Sequence, residues 1–192
     1  MNRYRIIAFM GKSGAGKDTI QNAFCDKFSE VHKIVSTTTR PPRQNEIEGS
    51  DYFFVSGEQF AQKLLDFEMV EACDFRDWFY GTELKALSPD RVNVGVFNPD
   101  GIRALSEDGR VDLMVVYVIA KDKIRIMRAL DREENPDIEE IFRRFKTDMV
   151  DFSDLDFNYV PLINDGSILI DELIDGVREQ AVERFGQIKE LK

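Results

Sequence analysis

Gly11-Lys12-Ser13-Gly14-Ala15-Gly16-Lys17 is the stretch that decides how this 192-residue chain is read. It satisfies G-x-x-x-x-G-K, comes directly after the apolar run Ile6–Met10, and opens a helical pattern over Thr19–Phe28. The strand before and the helix after are what give the pattern meaning. Glycines let a backbone wrap around phosphate groups, and the loop N–H groups with the positive end of the following helix dipole then face β- and γ-phosphate oxygens. Lys17 supplies a full positive charge where negative charge builds up during phosphoryl transfer; Lys12 is peripheral. Gly11, Ser13, Gly14, Ala15, Gly16, Lys17, Asp18 and Thr19 are the candidate contacts to ATP. Where such a loop ordinarily ends in a Ser or Thr that reaches magnesium, this chain has Asp18. A carboxylate is a harder and more negative Mg2+ ligand than a hydroxyl; Asp is also a helix-capping residue. Both roles are open for Asp18.

Outward from the loop, apolar runs recur at Val92–Phe97, Leu113–Ile119 and Tyr159–Ile163. They are short and do not alternate, which predicts strands buried on both faces of a parallel sheet. Helical patterns lie between them. Ile138, Ile141, Phe142, Phe145, Met149 and Phe152 are spaced to share one face, leaving Arg143, Arg144 and Lys146 on the other side. Ile170, Leu173, Ile174, Val177, Ala181 and Phe185 repeat the device. Strand, helix, strand in succession predicts an α/β fold, a parallel sheet flanked by helices. Residues 37–90 read differently: polar, turn-rich, with short aromatic strands such as Tyr52–Val55 and a helix from about Glu58 to Phe67, the pattern of an inserted subdomain. Asp131–Asp137 is charged and poor in apolar residues, a surface loop of the kind that serves as a lid.

Composition narrows the partners. With 36 acidic against 26 basic residues and a formal net charge of −10, the surface repels polyanions, which argues against a nucleic-acid or anionic-membrane binder. Any phosphate site must be a local concentration of Arg and Lys. A hydrophobic content of 43% is enough for one proper core. Cys25 and Cys73 form no CxxC pair and His32 is the single histidine, so there is no zinc constellation and a reducing cytosol is the expected setting. Ile6–Met10 is too short for a signal-peptide core and no stretch is long enough to span a bilayer, so a soluble, unprocessed, cytoplasmic protein is expected. A homodimer is compatible with the sequence.

Ser36-Thr37-Thr38-Thr39-Arg40-Pro41-Pro42-Arg43, Gly49-Ser50-Asp51-Tyr52-Phe53-Phe54-Val55 and Phe79-Tyr80-Gly81-Thr82 follow the phosphate loop in that order, and together these segments resemble guanylate kinase. The resemblance implies one domain over 1–192: a P-loop kinase core at 1–36 and 91–192, an inserted nucleoside-monophosphate-binding subdomain at about 37–90, and a mobile lid at about 128–146. It implies ATP as donor, Mg2+ as cofactor, and GMP or dGMP as the favoured acceptor. Arg40, Arg43, Tyr52 and Tyr80 match the family's hold on the acceptor phosphate, with Ser13 and Gly81 beside them. Two guanidinium forks and two phenolic hydroxyls can orient a dianion inside an otherwise acidic protein. Glu71 matches the carboxylate that accepts from the guanine N–H and amino group, and Thr82 the hydroxyl facing the guanine oxygen. Adenine would present the wrong donors and acceptors to such a pair. Arg128, Arg132 and Arg144 fall near the family's lid arginines, and with Lys17 the last two are the catalytic candidates. Asn164 matches a position near the ATP adenine.

Two positions depart from the family. Its Asp-Ile-Asp strand end aligns Val96 and Asn98 with the two aspartates. Asp18 then compensates for Val96 near magnesium, and Asn98 keeps a carbonyl for the guanine amino group, with Asp100 in reserve. Asp18, Asn98 and Asn164-Asp165-Gly166-Ser167 also resemble ribose 1,5-bisphosphate phosphokinase, a relative acting on a sugar phosphate. Glu71, Thr82, Tyr52 and the full Thr37–Arg43 segment stand against it, because an acceptor without a base has no use for guanine-reading groups. Kinases for other nucleotides, and non-catalytic guanylate-kinase-like modules that bind phosphorylated partners, are further alternatives; the intact loop and Lys17 stand against the last. No Ser, Cys or His constellation offers a nucleophile, so direct in-line transfer is expected.

Overall fold

An unbroken apolar run can only be satisfied by burial on both sides, and Ile6 to Met10 are fully buried in β1 (Tyr4–Met10), the centre of a parallel sheet. β1 lies between β7 (Val92–Val96) and β8 (Val111–Ile119), with β2 (Val31–Lys33) outside β7 and β9 (Val160–Ile163) outside β8. Its register sets Ile7 beside Val94 on one side and Met114 on the other. This is a computed structural model, describing residues 3–43, 46–75, 77–132, 134–186 and 188. Residues 44, 45 and 76 of the expected insertion and Glu133 of the expected lid loop lie outside the described residues.

Helices cover both faces. On one, α1 (Lys17–Lys27) and α6 (Ile170–Phe185) bring Ile20, Phe24, Leu173, Ile174 and Val177 against Phe9 and Val116. On the other, α3 (Pro99–Glu107) packs Ile102 and Leu105 on Ile6, Ala8 and Met10. The α/β architecture read from the sequence is the one observed.

A second sheet, among the described residues, has the order β4-β3-β6-β5, built from β3 (Ser36–Thr38), β4 (Tyr52–Phe54), β5 (Met69–Phe75) and β6 (Trp78–Glu83). The antiparallel pair β5–β6 sets Glu71 against Thr82 and Cys73 against Tyr80. β4 falls within the aromatic strand expected at Tyr52–Val55, whereas β3, β5 and β6 mix polar with apolar side chains and no apolar run announced them. α2 (Gly57–Leu65) starts on a capping box between Ser56 and Gln59. It stops two residues short of the expected Phe67, whose φ of 56° is incompatible with a right-handed helix.

Two further helices, α4 (Asp122–Leu130) and α5 (Ile138–Asp151), flank the expected lid loop. The expected six-residue apolar face of α5 does not form a buried face. Phe142 and Met149 are 69% and 72% exposed and Ile138 is 45% exposed. α5 meets the phosphate loop through Asp148 and the sheet at its end, where Phe152 stacks on Tyr117 of β8; its inward seam is the narrower set Ile141, Phe145, Asp148 and Phe152, of which Asp148 is the buried member within the helix. Periodicity identifies a face but not what covers it.

Candidate active site

The phosphate loop leaves the end of β1 and turns into α1 at Gly16, whose φ of 90° a side chain would strain. No side chain caps α1, so Asp18 is a first-turn residue and not a cap. The helix therefore presents its first-turn N–H groups to a cavity. Asp18 is largely exposed, with its carboxylate 3.8 Å from Lys17 Nζ. Ala15 is turned inward: its N–H donates to the Lys12 carbonyl (3.0 Å), and its carbonyl accepts from Asn164 Nδ2 (2.8 Å) and Arg128 Nη1 (3.2 Å). Asn164, expected near a bound adenine, is buried with its amide spent on that carbonyl, and Arg128 also donates to the Asn164 backbone carbonyl (3.1 Å). Both side chains brace the loop.

One cavity, of about 290 Å³, is lined by Arg40, Arg43, Tyr52, Tyr80, Glu71 and Asn98 together with Gly11, Ser13, Lys17 and Asp18. Arg40 is buried, its guanidinium lying 5.4 Å from the Tyr52 ring centroid, and Tyr52 packs edge-on to Tyr80. Glu46 accepts from Arg40 Nη2 through both oxygens (2.8 and 3.0 Å) and from the Arg43 N–H (2.7 Å). Burial opposes ionisation of Glu46, but Arg40 and Arg43 outweigh it and hold the carboxyl below the usual range. Glu71, 6% exposed, accepts from the Thr82 hydroxyl (2.8 Å). Burial pushes its carboxyl up to about 7 against the pull of that hydrogen bond.

Several expected contacts stand back from the cavity or are already engaged within the protein. Thr82 is fully buried behind Glu71, its hydroxyl committed to the carboxylate. Gly81 is buried, and a Cβ there would meet the Glu71 carbonyl at 2.9 Å and the Phe60 ring at 3.1 Å; it is a packing position between strands. Asn98 caps α3, its Oδ1 accepting from the Gly101 N–H (2.8 Å) and the Cys73 thiol (3.5 Å), so the carbonyl expected to read a base is already engaged. Asp100, its reserve, is paired with Arg103 (2.7 Å) on the surface.

A second cavity, of about 460 Å³, lies over the start of α1, lined by Gly14, Gly16, Lys17, Asp18 and Thr19 from the loop and by Arg128, Arg132 and Arg144 from the lid helices and their connection. Arg144 donates to Glu140 (2.8 Å) and reaches both cavities, as do Ser13, Lys17 and Asp18. The two cavities therefore meet at two cationic side chains and one carboxylate.

Sequence reasoning passed over Ser36, Cys73, Asp148, Asp151 and Phe152, which also line the first cavity. Cys73 was findable: two residues beyond Glu71 on a strand, it must share Glu71's face. Asp148 was findable too, as a carboxylate at a seam position of an amphipathic helix. Ser13, expected on both substrates' phosphates, has its N–H and hydroxyl on Asp148 and its carbonyl on Arg125.

Comparison with known proteins adds the lineage. The guanylate kinase family model matches residues 3–179. A guanylate kinase of Latilactobacillus sakei is 44% identical over 85 residues, a match spanning 44% of this chain and 42% of that one. One from Helicobacter hepaticus is 27% identical over 98% of both chains. A solved guanylate kinase from Anaplasma phagocytophilum superimposes with a TM-score of 0.68 at 19% identity, covering 100% of this chain and 92% of the other, which speaks for the fold.

Proposed function

Since the chain belongs to the guanylate kinase family and is a nucleoside monophosphate kinase, we propose that it transfers the γ-phosphoryl group of ATP to GMP or dGMP, giving GDP or dGDP. The observation that carries this reading is the join between cavities. A buried carboxylate, two arginines and two tyrosines share one cavity, and that cavity meets the phosphate-loop cavity at Lys17 and Arg144. Arg40, Arg43, Tyr52 and Tyr80 hold the acceptor phosphate, the incoming dianion taking the place of Glu46 on Arg40. Glu71 accepts from the guanine N1–H and amino group, and Thr82 acts on the base by holding Glu71. An acceptor phosphate oxygen then bonds to the γ-phosphorus as the bond to the β–γ bridging oxygen breaks, ADP keeping the electron pair. Lys17, Arg132 and Arg144 offset the charge on the moving group. Closure of α5 over the loop excludes water from it. The free thiols of Cys25 and Cys73 suit the cytosol.

Magnesium brought in with ATP fits the donors present. Asp18 offers an exposed carboxylate where the cavities meet, and among the described residues no group of three His, Cys, Asp or Glu forms a metal cage, so phosphate oxygens and water would complete the shell. When bound, the ion neutralises charge on the β- and γ-phosphates. Asp18→Ser is expected to raise the magnesium concentration for half-maximal rate roughly tenfold. An unchanged magnesium titration and rate would remove Asp18 from that role.

The deciding experiment records ADP release with magnesium and ATP against GMP, dGMP, AMP, dTMP, dCMP and ribose 1,5-bisphosphate. Release with GMP or dGMP alone is expected. Release with the ribose compound would give the acceptor cavity to a sugar phosphate, and silence with every acceptor would point to a binding module.

Glu71 also sets a pH dependence. Guanine needs the ionised carboxylate, so kcat/KM for GMP should fall by about tenfold per pH unit below the value near 7. The effect on stability has the opposite sign. A buried carboxyl raised above its unfolded value contributes stability at acid pH that is lost as pH rises through about 7. A kcat/KM profile flat from pH 5.5 to 8.5 would mean that Glu71 does not read the base.

A further inference from the structure

We infer that Ser13 is not a phosphate ligand in this chain but the anchor by which a buried Arg125–Asp148 pair positions the phosphate loop under the lid helices. The inference rests on the kinase reading above only for its turnover measurements.

Each polar group of Ser13 is taken up by the pair. Asp148 Oδ2 accepts from the Ser13 N–H (2.9 Å), Oδ1 accepts from its hydroxyl (3.3 Å), and Arg125 Nε donates to its carbonyl (2.9 Å). Arg125 Nη2 also donates to Asp148 Oδ2, Nη1 donates to Asp122 (2.6 Å), and the guanidinium lies 4.4 Å from the Phe145 ring centroid. Arg125 is 3% exposed and Asp148 7%. A Cβ on Gly14 would stand 2.5 Å from the Arg125 carbonyl oxygen, so the α4 backbone itself abuts the loop.

Two ions held this deep gain little net stability from their attraction, because removing both from water offsets it. What the arrangement supplies is position. Arg125 belongs to α4 and Asp148 to α5, the helices carrying Arg128 and Arg144, so one ion pair sets the loop and the lid arginines in a common frame. A phosphate oxygen seeking the Ser13 N–H would have to displace a carboxylate already neutralised by Arg125. Among the described residues, the N–H groups of the first turn of α1 have no such competitor.

The test separates this from a simple clamp between helices. Asp148→Asn keeps an acceptor oxygen for the Ser13 N–H but loses the charge; Asp148→Leu loses both. Positioning predicts kcat with GMP lowered about tenfold in the first and about 100-fold in the second, with KM for ATP and GMP within about threefold of wild type. Equal loss of kcat in both would reduce the pair to a clamp. A fall in KM for either substrate would show Ser13 to be a phosphate ligand that Asp148 masks. Amide hydrogen exchange reads the anchor without any acceptor, and so stands even if no acceptor turns over. Ser13 should be protected in the nucleotide-free wild type and in Asp148→Asn, and should exchange at least tenfold faster in Asp148→Leu. An unprotected Ser13 amide in the wild type overturns the inference even if Asp148→Leu does not fold.

Discussion

Lys17→Ala should lower kcat roughly 10²- to 10³-fold, the usual effect of removing one preorganised charge from a transferring group. Lys17 reaches both cavities and its side chain is 23% exposed, so it stands where the two cavities meet and not in the packed interior. KM for GMP should change little, because the groups proposed to hold the acceptor, Arg40, Arg43, Tyr52 and Tyr80, line the first cavity from other elements. Thermal unfolding should stay close to wild type. A variant that keeps its kcat while KM for ATP rises would make Lys17 a ground-state binding group, with uniform effect on substrate and transition state.

Glu71→Gln should lower kcat/KM for GMP about 10²- to 10³-fold and leave KM for ATP alone, since two hydrogen bonds to an ionised acceptor are at stake. The amide presents one acceptor and one donor, so a guanine N–H meets another N–H. The same pair of groups complements the N1 and amino group of adenine, so discrimination against AMP should narrow. Because the substitution removes a buried charge, it should not destabilise the fold above pH 7, where the wild-type carboxylate is ionised against the pull of burial. The pH dependence of kcat/KM should vanish with it. If Glu71→Gln treats GMP as the wild type does, the cavity reads its acceptor by phosphate alone.

How far each element was legible follows from where its information lies. β1 and the phosphate loop were readable because an apolar run and a glycine-spaced turn are local, and the buried face of α6 was readable because Leu173, Ile174, Val177 and Ala181 do face a sheet. The same spacing in α5 misled, since Phe142 and Met149 face solvent while Asp148 is buried. Arg40, Arg43, Tyr52, Glu71 and Tyr80 could be nominated from motif, and they do line one cavity. Thr82 and Gly81 were nominated for the same cavity and Ala15 and Asn164 for ATP, yet hydrogen bonding and close packing commit all four inside the protein.

By itself, the sequence determined the strand-loop-helix at Gly11–Lys17, the alternation of strands and helices, and the chemical types available to a phosphate site. Steric limits and periodic burial act between near neighbours in the chain, so they are written in its order. Only the tertiary structure decided which groups remain open to a ligand. Ser13 meets Arg125 and Asp148 across 112 and 135 residues of chain, and whether a hydroxyl or N–H is spent inside the protein depends on such distant pairings, which no local pattern encodes.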